Sequence, residues 1–241
     1  VSNTNTDKRS LVAASVVIAI ALIVCAMIGA GALVKVKGMG RTISVTGAAY
    51  QPIRSDFAIW EGAITAQAPT LEPAYARLTA DLKKLTAFLT ENGFEQSQYD
   101  ISSVSLYRQY NRDGQETGFN VSQTVRIELA DVDRIRTLAQ AASSLIQQGV
   151  QMESRPPQYL FTGLDTLKIG MIAQATENAR QRAEQLAKTA GSTVGPPTSA
   201  SVGVFQIRPL HSQEVSGYGI SDVSSIEKEI VSTVHVNFLI D

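Results

Sequence analysis

The sequence predicts an α+β domain, antiparallel sheets packed with helices, carried on one N-terminal transmembrane helix. Three observations predict it. Leu11 to Val34 is a run of 24 residues with no charged or amide side chain and only Ser15 as a hydroxyl. Beyond it, stretches that alternate apolar and polar residues recur along the chain, the period of half-buried strands. Between them lie three stretches with apolar residues three and four apart, the period of amphipathic helices.

A helix over 11–34 is about 36 Å long at 1.5 Å per residue, enough to cross a hydrocarbon core of about 30 Å with some tilt. Twelve of its 24 residues are Leu, Ile or Val, which favour insertion by roughly 4 to 7 kcal/mol together. A cleaved secretory signal competes with an uncleaved anchor. Lys8 and Arg9 supply a basic start and Ala30-Gly31-Ala32 a small-residue exit, but an apolar run of this length exceeds the usual signal core and favours the anchor. Residues 1–10 read as a polar stub and 35–40 as a stalk. Lys8 and Arg9 flank one end of the anchor while Lys35, Lys37 and Arg41 flank the other, so charge alone specifies orientation poorly.

Residues 41–241 form the domain. Removing Lys8, Arg9 and Asp7 from totals of 21 basic and 22 acidic residues leaves 19 and 21 for stalk and domain together, residues 35–241, a net charge of −2 with both signs interspersed. That balance argues against nucleic acid as a partner, because phosphate binding needs a concentrated positive face. The one cysteine, Cys25, lies in the apolar run, so the domain has neither a disulfide nor thiol chemistry.

The elements follow in order. Arg41 to Gly47 alternates as a strand, with Gly47 ending it or forming a bulge. Ile53 to Gln67 reads as one long strand with Ala58, Trp60, Ile64 and Ala66 on one face. Thr70 caps a helix with a stripe of Leu71, Tyr75, Leu78, Leu82, Leu85 and Leu89, which Gly93 stops. Tyr99–Tyr110 and Thr117–Ala130 pair as strands across a polar loop containing Asp113-Gly114, a hairpin signal. Asp131 or Asp133 begins a second helix that buries Ile135, Leu138, Ala142, Leu145 and Ile146 and stops at Gly149. Val150–Phe161 is an irregular or edge strand, because Pro156 and Pro157 cannot donate to a ladder. A long third helix runs from Leu164 to Ala190, with Glu177, Arg180, Glu184 and Lys188 on a solvated face. Ala200–Arg208 and Ile226–Ile240 close the chain as strands, separated by a long Ser- and Gly-rich loop, 209–225, expected to be mobile.

No constellation for chemistry stands out. His211 lies beside Ser212 and Glu214 in the loop, and His235 alternates with valines in the last strand. Neither belongs to a cluster with metal-ligand spacing, so no metal site and no cofactor site is assigned. No Gly-x-Ser-x-Gly turn is present, and no catalytic residue is assigned. Gly38-x-Gly40 lacks the rest of a phosphate loop and belongs to the stalk. Asn120-Val121-Ser122 matches a glycosylation acceptor but falls in a strand. The pairs Ser15/Ala19 and Ala26/Ala30 would let two transmembrane helices approach closely. Trp60, Tyr107, Tyr110 and Phe119 serve either the core or an exposed aromatic patch.

Three stretches carry a family resemblance. Ala179-Arg180-Gln181-Arg182-Ala183-Glu184-Gln185-Leu186-Ala187 with Gly191 and Gly195, Ile43-Ser44-Val45-Thr46-Gly47, and Asn92-Gly93 through Tyr99-Asp100-Ile101 resemble the SIMPL-domain, or YggE-like, envelope proteins. Ala49 and the separation of Pro52 from Asp56 depart from that family's opening turn. The resemblance implies an extracytoplasmic α+β domain, which together with the apolar run 11–34 gives the expectation of a single-pass protein of the inner (cytoplasmic) membrane. It also implies a ring-like homo-oligomer, and a loose association with envelope and oxidative stress. The resulting expectation is a non-enzymatic, self-assembling scaffold held to the lipid bilayer through residues 11–34. The alternative is a ligand- or protein-binding module that uses the 209–225 loop.

Overall fold

A computed structural model describes residues 19–20, 22–30, 41–214 and 216–241. The expected stub 1–10 and stalk 35–40, with Gly38 and Gly40, lie outside the described residues, as do Ser15 and most of the expected transmembrane helix. Residues 19–20 and 22–30 are helical, with Ile20, Leu22, Ile23, Met27 and Ile28 exposed. Among the described residues no helix is long and apolar enough to cross a membrane.

From residue 41 onward the chain is α+β, in the order β1 (Thr42–Arg54), β2 (Phe57–Ala68), α1 (Leu71–Glu91), β3 (Tyr99–Ile101), β4 (Ser105–Tyr110), β5 (Glu116–Leu129), α2 (Val132–Ala141), α3 (Ser143–Gln147), β6 (Met152–Ser154), β7 (Gln158–Leu160), α4 (Leu164–Thr189), β8 (Val194–Val202), β9 (Gln206–Pro209) and β10 (Glu227–Ile240). It divides into two compact units, one of Val1–Gly47, Ala175–Val202 and Val234–Asp241, the other of Ala48–Gln174 and Gly203–Thr233.

The second unit is built on β2 and β5, which pair antiparallel from Ala58↔Leu129 to Ala68↔Phe119. β3 and β4 follow one another along the outer side of β5, and β6 and β7 along the outer side of β2. The alternation expected in β2 is present: Ala58, Trp60, Ile64 and Ala66 are fully buried on one face. They meet Leu78, Leu85 and Leu89 of α1, Ile135 and Leu138 of α2 and Leu145 of α3 in one apolar cluster, the non-directional contribution that dominates folding. The Trp60 indole N–H donates to Ser154 Oγ at 3.0 Å, so the largest core side chain keeps its polar atom satisfied.

Two long strands break where single backbone groups leave the ladder. The expected strand 53–67 is interrupted because Ser55 N–H donates to Ile226 O and Asp56 N–H to Leu160 O. The expected strand 99–110 is interrupted at Ser102, whose Oγ accepts from Thr124 N–H at 2.9 Å. A side chain there takes a donor that a continuous ladder would give to a carbonyl.

α1 begins at the expected place, but Thr70 makes no side-chain cap bond. Its buried stripe also lies further round the helix than expected: Ala74, Leu78, Asp81, Leu85, Phe88 and Leu89 are buried, while Leu71 and Tyr75 are exposed. Asp131 is the cap of α2, accepting from Arg134 N–H at 3.0 Å. The second helix is in fact two short ones meeting at Ala142, and Ile146 is exposed rather than buried. Gly93, Gly149 and Gly191 stop three helices by one device. Each adopts positive φ (82°, 79° and 73°), and the next residue's N–H bonds to the carbonyl five positions back: Phe94 to Leu89, Val150 to Leu145 and Ser192 to Ala187.

In the first unit, α4 buries Ala175, Ala179, Ala183 and Ala187, four residues apart. Gly47 explains this choice of small side chains. A Cβ at Gly47 would lie 2.5 Å from Ala179 N and 2.8 Å from Ala179 Cβ, so strand and helix backbones meet directly. Gly47 therefore does not end β1; it lies within the strand and permits the contact. β10 pairs antiparallel with β8, Val234↔Val202 through Ile240↔Val194, and β8 includes Pro196 and Pro197. β8 starts earlier than the expected strand 200–208, which is really the end of β8 and a separate β9. As an edge strand, β8 tolerates the prolines.

Candidate functional site

Among the described residues no group of three or more His, Cys, Asp and Glu side chains could hold a metal ion. His235 stands on the exposed face of β10 with Nε2 2.9 Å from Ser44 Oγ and Nδ1 3.1 Å from Thr46 Oγ1. A hydroxyl stands where an activated serine would need a carboxylate behind its imidazole, so this is a cross-strand polar cluster. His211 takes a left-handed conformation, φ 66°, in the 209–225 segment.

Beside that cluster, within the first unit, a groove of about 620 Å³ runs between β1 and α4, lined by Ser44, Thr46, Gln181, Arg182, Gln185 and Leu186 among others. Arg182 donates to Thr46 O at 3.0 Å. The groove offers hydrogen bonds and one guanidinium, and no acid–base pair.

The 209–225 segment is tied down at its far end, which the sequence reading did not foresee. Ile207 N–H donates to Ile220 O at 2.7 Å, and Asp222 N–H donates to Ile207 O at 2.8 Å. Lys228, only 1% exposed, donates from Nζ to Tyr159 O at 2.5 Å and to Asp222 O at 2.5 Å. Burial pushes the Lys228 ammonium below the usual lysine range, with Asp222 opposing that shift. Burial works against the charge of Asp222 too, yet bonds from Ser224 and Ser225 and the nearness of Lys228 hold its carboxyl below the usual range. At the segment's tip Tyr218 is fully exposed.

On the solvent face of the second unit's sheet, Glu61 accepts from Arg126 and Arg155, each at 2.7 Å. The Arg155 hydrogen bond outweighs burial and holds the Glu61 carboxyl below the usual range. Glu128 also accepts from Arg126, at 2.7 Å, so two carboxylates balance the two guanidiniums.

β4 carries three exposed large apolar or aromatic side chains. Leu106 is 46%, Tyr107 65% and Tyr110 57% exposed, on a strand paired with β5 on one side and with nothing described on the other. Of the four aromatic residues weighed in the sequence, Trp60 belongs to the core and Phe119 packs partly against it, whereas Tyr107 and Tyr110 face solvent. Asn120 lies within β5 with its Oδ1 buried and without a hydrogen-bond partner, an unsuitable presentation for a glycan.

The family model SIMPL, described as a protein of unknown function (DUF541), matches residues 43–238. No curated protein matches the chain. Among solved structures it is similar to a hydantoinase/carbamoylase family amidase from Burkholderia ambifaria, with 17% identity, 52% of this chain, 34% of that chain and a TM-score of 0.25. It thus spans about a third of that amidase chain. It is also similar to the regulatory subunit of aspartate kinase from Thermus thermophilus, with 13% identity, 78% and 88% of the two chains and a TM-score of 0.20. A hydrolase from Listeria innocua follows, with 10% identity, 80% and 91% coverage and a TM-score of 0.17. Likenesses of that size carry no functional argument. The opening strand, the arginine- and alanine-rich α4 and its glycine stop all fall inside the matched span, and the chain belongs to the SIMPL family.

Proposed function

We propose that this chain is a membrane-anchored SIMPL protein of the inner (cytoplasmic) membrane whose domain faces the periplasm or cell exterior. There it self-assembles into a ring-like homo-oligomer with a structural, scaffolding or envelope and oxidative-stress role, without catalysis. The observation that carries this reading is the apolar surface left uncovered at Ile20, Leu22, Ile23, Met27 and Ile28 and on the edge strand β4. Contiguous exposed apolar surface marks membrane or protein contact. Two measurements test the anchoring and the orientation. The protein should stay in the membrane fraction after an alkaline wash, and protease added to intact spheroplasts should digest the domain. Release by alkali, or a protected domain, contradicts the reading.

A second reading, a binding module that uses residues 209–225, draws on the fully exposed Tyr218. It requires a co-purifying partner that Tyr218→Ala releases.

A further inference from the structure

Among the described edge strands, β4 is the one of more than three residues that carries no proline. Natural edges are blunted by proline, lysine, bulges or extreme shortness, because a free row of N–H and C=O groups invites another strand. β1 carries Pro52, β8 carries Pro196 and Pro197, β9 ends on Pro209, and β3, β6 and β7 are three residues each. β4 is six residues, Ser-Leu-Tyr-Arg-Gln-Tyr, with no proline and no lysine. Its one irregularity, a register shift between Gln109 and Tyr110, lies at its C-terminal end, and the regular stretch before it presents Leu106 and Tyr107 to solvent.

We propose that β4 is a self-pairing edge: it pairs antiparallel with β4 of a second copy of this chain about a two-fold axis between Tyr107 and Arg108. The charge pattern selects that occupant and that register. Arg108 is the only charged residue of β4. A parallel in-register pair, or an antiparallel one centred on Arg108, sets two guanidiniums against each other, which destabilises a sheet. Centring between 107 and 108 sets each Arg108 opposite the other copy's Tyr107 on the same face, a cation–π arrangement, twice per interface. Leu106 then lies opposite Gln109. Arg108 remains free to turn toward an aromatic ring, since its contact with Glu116 is a 3.5 Å surface pair of small energetic weight. A six-residue edge is a small interface. Anchoring in one bilayer raises the effective concentration of the partner strand and offsets that.

The inference rests on the self-assembly reading and names one of its contacts: the two-fold pair joins copies in twos, and a ring takes a second, different contact between such pairs. The test uses the full-length protein in detergent, with particle mass from light scattering and amide hydrogen exchange over residues 105–110. Wild type should form particles of two or more copies with part of β4 slow to exchange. Tyr107→Lys, which faces a lysine to the second copy's Arg108, should lower the mass at least two-fold and speed β4 exchange. Tyr107→Glu, which faces a carboxylate to the same arginine, should keep the wild-type mass. Tyr218→Lys should change nothing, and equal thermal melting of the variants shows that the fold is intact. An assembled wild type whose mass and β4 exchange survive Tyr107→Lys overturns the edge pairing and leaves self-assembly standing. Loss of mass in both Tyr107 variants overturns the register. A monomeric wild type overturns self-assembly itself.

Discussion

The two units of this chain pack a helix on a sheet by opposite means. In the second unit, Trp60 and Ile64 of β2 meet Leu78, Leu85 and Leu89 of α1, and side-chain volume sets the separation of the layers. In the first, Ala179 of α4 lies against Gly47 of β1, and backbone contact sets it. The difference teaches where each unit is vulnerable. A volume-filled core is damaged by truncation, which leaves a cavity. A backbone-to-backbone contact is damaged by enlargement, because no flexible side chain can yield.

The largest expected effect is on the first kind of packing. Trp60→Ala should cost about 3–5 kcal/mol, read as a fall in the urea midpoint; a loss under about 1 kcal/mol would break the contrast from that side. Gly47→Val comes next, at about 1–3 kcal/mol. Ala183→Gly, which removes volume from the same helix face, should cost only about 1 kcal/mol, mostly helix propensity. If the two first-unit changes reversed in size, α4 would be packed by volume after all.

The third effect concerns Lys228, which belongs to neither kind of packing. Lys228→Met keeps the length of the side chain but leaves Tyr159 O and Asp222 O without their donor. The expected cost is about 1–3 kcal/mol, with faster amide exchange at Asp222, whose own N–H bond to Ile207 O closes the same segment. Unchanged exchange there would show that Lys228 does not hold the segment.

The smallest effect is on pH dependence. The folded Glu61 carboxyl titrates below its ordinary value of 4.5, so it binds fewer protons folded than unfolded. Its contribution is present above about pH 4.5 and is lost as pH falls through the lowered folded value. The urea midpoint of Glu61→Gln should therefore fall less than that of wild type between pH 6 and pH 3. Parallel curves would mean that the Arg126 and Arg155 contacts add nothing.

Much of the fold was legible because its signals are local. Three glycines ended helices where apolar periodicity stopped, and Asp113-Gly114 marked the hairpin, closed by Asn111 N–H donating to Gln115 O at 2.9 Å. What was not legible depends on distant partners. Gly47 reads locally as a terminator, since the helix backbone that it admits lies well over a hundred residues further on. Ala74 carries little weight in a stripe of leucines, yet it is fully buried while Tyr75 is exposed. For Lys228 a signal did exist: it shares the parity of Ile230, Val234, Val236 and Phe238, all buried in β10. A lysine in phase with the buried face of a strand should have been read as a buried cation needing acceptors. The β4 edge was half legible. Tyr107 and Tyr110 drew notice, but their exposure follows from the break at Ser102 and from β4 having no outer neighbour among the described strands.

The central claim, that this SIMPL chain assembles with itself, is tested most directly by the protein mass of the detergent-extracted full-length particle. A mass that is a multiple of 25.9 kDa, two copies or more, after correction for bound detergent is the predicted result. A single species at 25.9 kDa across concentrations would contradict it.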